Sequence, residues 1–178
     1  WLVKLNSLGT LQWEKYFGGG NDDIFHNVRP TADGGFILVG ESTSNNGDLT
    51  GNWGDRDVWA VKTDSIGNMQ WQINLGGANA DFGNDVIQTT DGAYLIVGSS
   101  YSNNVDLTGN NGGSDYWVIK LSAYGAFIWQ KNLGSLGNDI AHSVVQTSDG
   151  GYLVAGESNS NFFFNHGLTD GLIYKLDG

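Results

Sequence analysis

The stretch Asn45 to Asp57 reads N-N-G-D-L-T-G-N-W-G-D-R-D. Its side-chain oxygens on Asp48, Asn52, Asp55 and Asp57 stand between flexible glycines, the donor type and backbone that Ca²⁺ favours. The spacing is not that of an EF-hand, and no Glu stands at the bidentate position. The same composition also folds into Asx-turns without any metal. These four residues are therefore the candidate calcium ligands, and no other cofactor is indicated. A second chemistry lies in aromatics on polar loops: Trp53, Tyr101, Phe162, Phe163 and Phe164. A flat ring stacks on a pyranose face while nearby Asp and Asn take the hydroxyls. The same rings could equally contact a protein or a neighbouring repeat. Catalysis finds little support. His26 and His142 are repeat-equivalent and read as strand positions, His166 is alone, and no H-E-x-x-H, G-x-S-x-G or phosphate loop occurs. Glu41 and Glu157 are a carboxylate pair only if the fold brings them within about 5–9.5 Å, and nothing in the sequence does so. No catalytic residue is assigned, and the chain is expected not to be an enzyme.

The elements that position these residues repeat. Trp1, Trp59 and Trp117 lie 58 residues apart, heading WLVKL, WAVKT and WVIKL. Trp13, Trp71 and Trp129 follow at the same interval, as do Asp33, Asp91 and Asp149 and then Gly40, Gly98 and Gly156. LIYKL, from Leu172 to Leu176, begins a fourth copy. The copies are 1–58, 59–116, 117–171 and the start of a fourth at 172–178, all within one repeat domain or part of one. Such a period means a repeat architecture. Met69, Trp71, Ile73 and Leu75 alternate with Gln70, Gln72 and Asn74, the period of a half-buried strand. Asp91-Gly92 is a hairpin signal, and Tyr94 to Gly98 reads as a further strand. No window carries helical periodicity. Four short antiparallel strands per copy predict an all-β fold of β-propeller blades, with a β-trefoil as the alternative. Trp13, Trp71 and Trp129 are expected to be largely buried between copies, and Pro30, lacking an N–H, marks an edge or bulged strand.

Composition bounds the partners. The 178-residue chain carries 8 Lys plus Arg against 19 Asp plus Glu, a net charge of −11. That disfavours nucleic acid, whose affinity rests on cations against phosphates, and anionic lipid. It suits neutral sugars, cations and solubility. There is no Cys, hence no disulfide framework. No apolar run approaches the roughly 20 residues that span a bilayer, so no membrane insertion is expected. The chain reads as a segment of a longer protein, its ring completed by further blades or by self-assembly.

The run WVIKLSAYGAFIWQKNLGSLGNDIAHSVVQTSDGGYLVAGES, from Trp117 to Ser158, resembles a tandem repeat of large secreted or surface proteins of Bacteroidota-type bacteria. The shared pattern runs W-V-x-K-L, G-x-x-x-W, L-G-G, S-D-G-G-Y and A-G, and the likeness extends over the whole chain. The resemblance implies a β-propeller, export, and a neighbouring module that carries any chemistry; it implies no catalytic residues. The expected function is a non-enzymatic binding or spacer scaffold of a secreted or cell-surface protein. The alternatives are a lectin-like or calcium-dependent carbohydrate- or protein-binding module, and the non-catalytic part of a secreted glycoside hydrolase. The partner would be a surface glycan or a protein. The long second-to-third and fourth-to-first connections should gather on one face, and that face is the expected binding side.

Overall fold

The computed structural model describes residues 1–160 and 168–177; Phe162, Phe163 and Phe164 lie outside them. Every regular element in the described residues is a β-strand. β1 (Leu2–Leu5) and β2 (Leu11–Lys15) form a two-stranded sheet. β3 (Asp23–Pro30), β4 (Phe36–Ser42), β5 (Asp57–Thr63) and β6 (Met69–Leu75) form a four-stranded antiparallel sheet in chain order. β7 (Asp81–Gln88), β8 (Tyr94–Ser100), β9 (Asp115–Leu121) and β10 (Phe127–Leu133) repeat it. β11 (Asp139–Gln146), β12 (Tyr152–Ser158) and β13 (Asp170–Leu176) make a third, three-stranded sheet.

The sheets are out of phase with the sequence copies. Each four-stranded sheet takes its first two strands from the end of one copy and its last two from the start of the next. LIYKL is accordingly not the opening strand of a new sheet: as part of β13 it pairs with β12, Val154 opposite Tyr174. The long Ser/Asn/Gly segment that ends each copy is then an internal loop, β4–β5 or β8–β9. The short Gly-rich segment after Leu75 or Leu133 carries the chain from one sheet to the next.

The sheets stack face to face, which accounts for the burial pattern. Ile37, Val39, Val58 and Ala60 of one sheet meet Tyr94, Ile96, Trp117 and Ile119 of the next in a single buried cluster. Leu95, Val97, Tyr116 and Val118, on the opposite side, meet Ala141, Val144, Tyr152 and Val154. Central strands are thus covered on both faces and read as continuous apolar runs, whereas β13 alternates between half-buried and exposed and β6 is half-buried over most of its length. Trp59 and Trp117 are fully buried, but Trp13, Trp71 and Trp129 are only half-buried, less than expected. Their position explains it: Trp71 lies on the outermost strand, its indole against Gly125 of the next sheet's β9–β10 turn and its Nε1 donating to the Ala123 carbonyl at 3.3 Å. Trp13 meets Gly67 in the same way.

Among the first strands β3, β7 and β11, β7 packs against both β3 and β11. Each carries a bulge, at His26, Asn84 and His142, and a bulge re-aims the side chain it frees. Pro30 lies at the end of edge strand β3, opposite Phe36 and away from that bulge, where its missing donor costs no ladder bond.

Candidate functional site

The long loops and the sheet-to-sheet connections do meet on one face, held together by main-chain and carboxylate contacts. In the β2–β3 connection the Gly18 N–H donates to Asp48 Oδ2 at 3.0 Å, and Asp48 N returns a bond to the Gly18 carbonyl. One sheet on, Gly76 N donates to Asp106 Oδ2 at 3.3 Å and Asp106 N to the Gly76 carbonyl. Asp81 is wholly buried; it accepts from the Ser100 hydroxyl, from Gly77 N at 2.8 Å and from the Ser102 hydroxyl at 2.9 Å. Asp23 and Asp139 repeat parts of this arrangement with Ser42 and Ser44 and with Ser160. Asp81 and Asp139 are interior anchors at no exposure whereas Asp106 is half-buried, a distinction that only burial reveals.

The four candidate calcium ligands do not form one cluster. Asp48 is tied to the β2–β3 connection. Asn52 donates to the Ser42 carbonyl at 2.9 Å and accepts from Gly54 N at 3.0 Å. Asp55 lies on the surface, at the edge of a shallow concavity. Asp57 is fully buried at the start of β5, with Oδ2 accepting from Trp53 N at 2.7 Å. Among the described residues no three His, Cys, Asp or Glu side chains converge as metal ligands do. Burial pushes the Asp57 carboxyl up to about 7; the Trp53 N–H pulls it down, and the charges of Asp81 and Asp106 add to the rise. Asp115, its repeat equivalent, is also raised by burial, with Asn111 N–H opposing and Asp139 adding.

The aromatic candidates fare differently. Trp53 is 58% exposed and Tyr101 is 41% exposed. Both flank the β6–β7 connection. Gly54, beside Trp53, is packed against Gly77 and Ala78, and Tyr101 N donates to the Ala80 carbonyl at 3.1 Å while Asn79 Nδ2 donates to the Tyr101 carbonyl at 2.9 Å. Beside Tyr101 lies a concavity of about 600 Å³ lined by Asp55, Ala78, Asn79, Ala80, Tyr101 and the glycines 112 and 113; Trp53 is not part of its lining. Phe162, Phe163 and Phe164, the remaining aromatic candidates, lie outside the described residues.

The two repeat-equivalent histidines each have a carboxylate partner. His26 Nε2 bonds Glu41, a buried carboxylate that also receives Arg56 Nη1 at 3.3 Å. His142 stands 3.7 Å from Glu157. Each pair links the bulge of a first strand to the second strand of the same sheet. No family model matches the chain, and no curated protein matches it.

Proposed function

We propose that this chain is a non-enzymatic binding scaffold, a segment of a β-propeller-type repeat protein of the secreted or cell-surface bacterial kind, which presents its long-loop face to a surface glycan. The stacked sheets with successive first strands packed together support the propeller reading, since blades around an axis place their first strands in the same way. The ligand reading rests on one observation: Trp53 and Tyr101 are both exposed beside the β6–β7 connection, where Tyr101 lines a concavity floored by small residues. The floor of Ala78, Ala80 and glycines leaves room for a sugar ring. Asn79 and Asp55 line the concavity and offer polar groups to sugar hydroxyls, and the exposed aromatics offer stacking. Loops held on a rigid framework are where such sites are built.

Trp53→Ala and Tyr101→Ala are each expected to leave the thermal midpoint within the range of ordinary surface changes, about 0.5 kcal/mol. Retention on a panel of immobilised neutral glycans should fall at least several-fold for either variant. Wild-type retention unchanged in both variants, with folding intact, would assign the rim to packing against another part of the protein.

A further inference from the structure

Beneath the long loops, the structure leaves buried polar atoms unanswered, and it does so twice at repeat-equivalent places. Asp57 Oδ1 has no hydrogen-bond partner among the described residues, and neither do Oδ1 and Nδ2 of Asn74, which is only 7% exposed. Asn74 pairs with Trp59 across β5–β6, so it stands diagonally next to Asp57 on one face of the sheet. In the following sheet Asp115 Oδ1, both Asn132 side-chain atoms and Asp139 Oδ1 are likewise unpartnered and buried. Gly76 holds the first group close: a Cβ there would collide with Asp57 Oδ1 and lie 2.8 Å from Asp81 Oδ2. Gly134 does the same between Asp115 and Asp139, at 2.6 Å from Asp139 Oδ2. Asp106 Oδ2, on Gly76 N, completes the first group.

A buried polar atom without a partner costs about 1–3 kcal/mol, and more when charged. Here five of the seven unanswered atoms are oxygens, and carboxylates of two successive sheets face one another. Arg56, the nearest cationic side chain in sequence, is engaged by Glu41 instead. A water molecule would satisfy hydrogen bonds but leave the repulsion. A hard divalent cation answers both, and carboxylate, amide and main-chain oxygens are its usual ligands.

We propose that the β6–β7 and β10–β11 junctions each bind a calcium ion, the first held by Asp57, Asn74 and Asp81 with Asp106 beside it, the second by Asp115, Asn132 and Asp139. Two carboxylates per ion, an amide oxygen and main-chain or water oxygens form the set, so no three-carboxylate cluster is required. The ion pins the loop to the next sheet, and this holds whatever the rim binds.

Equilibrium dialysis of the chelator-treated chain against Ca²⁺, read at near-neutral pH, should retain two equivalents. Tb³⁺ in its place should luminesce on indole excitation, because Trp59 and Trp117 sit two residues from Asp57 and Asp115. Asp57→Asn should weaken binding at its own junction by roughly tenfold or more and so retain one equivalent, at the junction of Asp115; Asp115→Asn should likewise lose the equivalent there. The wild-type melting temperature should rise with Ca²⁺ by mass action. No retained metal and equal melting with chelator or Ca²⁺ would overturn the proposal, leaving a water or a shared proton in each junction. Two equivalents retained by the Asp57→Asn, Asp115→Asn double variant would overturn it as well.

Discussion

At the scale of single residues, the repeated Gly40, Gly98 and Gly156 answer to one contact. Each faces the bulge of the neighbouring first strand, and a Cβ on any of them would overlap the carbonyl oxygen of Ile24, Phe82 or Ile140. The obstacle is main chain on a paired strand, which cannot rotate away. Gly98→Ala should therefore destabilise by about 2 kcal/mol or more, as overpacking does. Gly92, at the hairpin tip with φ of +82° and open space around it, sets the contrast. Its Ala variant meets only left-handed backbone strain, about 1 kcal/mol. Urea denaturation of the two variants checks the order, and equal midpoints would remove the steric argument.

Among elements, the hairpin turns and the sheet-to-sheet tryptophans do the fastening. Lys62 Nζ reaches Asp33 Oδ2 at 2.8 Å, Lys120 reaches Asp91 at 2.8 Å and Lys175 reaches Asp149 at 2.9 Å. The Lys62 ammonium, then the Thr31 hydroxyl, lower the Asp33 carboxyl; Lys120, then Thr89, bring Asp91 down to about 2; Thr147, then Lys175, lower Asp149. A carboxyl depressed in the folded state stabilises above its unfolded pKa, near 3.9, and loses that contribution as pH falls through its folded pKa. Thermal midpoints should thus drop between about pH 4 and pH 2, and Asp91→Asn should shrink the drop. Trp71→Ala should cost about 3 kcal/mol, since its ring covers the β9–β10 turn. Trp129, with no such turn against it among the described residues, should cost less when changed to Ala. Paired denaturant titrations decide this, and equal losses would show that the turn contact carries no weight.

For the molecule as a whole, Asp85 ties three sheets together. Only 1% exposed on β7, it accepts from Asn27 Nδ2 and Arg29 Nη2 of β3, each at 3.0 Å, and from the Ser143 hydroxyl at 3.2 Å and Val144 N at 3.1 Å of β11. Breaking a buried charge network from one side costs about 3–5 kcal/mol because the partners lose their answer. Part of that is softened here by the exposure of Arg29. Asp85→Ala is expected to lower stability by about 3 kcal/mol and to split one cooperative unfolding transition into steps, since stacked units otherwise couple only through their shared faces. A single, sharp calorimetric transition in the variant would count against the tie.

Much of this architecture is written in local residue order. Alternation in Met69–Leu75, the Asp-Gly turn at Asp91–Gly92 and the 58-residue interval determine where strands begin and end and how many there are. Strand order alone also places the long connections on one face, because every strand reverses direction. The phase of the sheets was not determined in this way. A cyclic repeat of four strands reads the same wherever the first is taken, and only the hydrogen bonds from Ser42 to Asp57 and from Ser100 to Asp115 close a sheet across a long loop. The acidic residues divide for the same reason. Asp55 and Asp57 are two positions apart in the same Gly-rich loop, with like local sequence. One lies in solvent and the other at no exposure, because burial is decided by which distant chain, here Gly76 and Asp81, comes to rest on top.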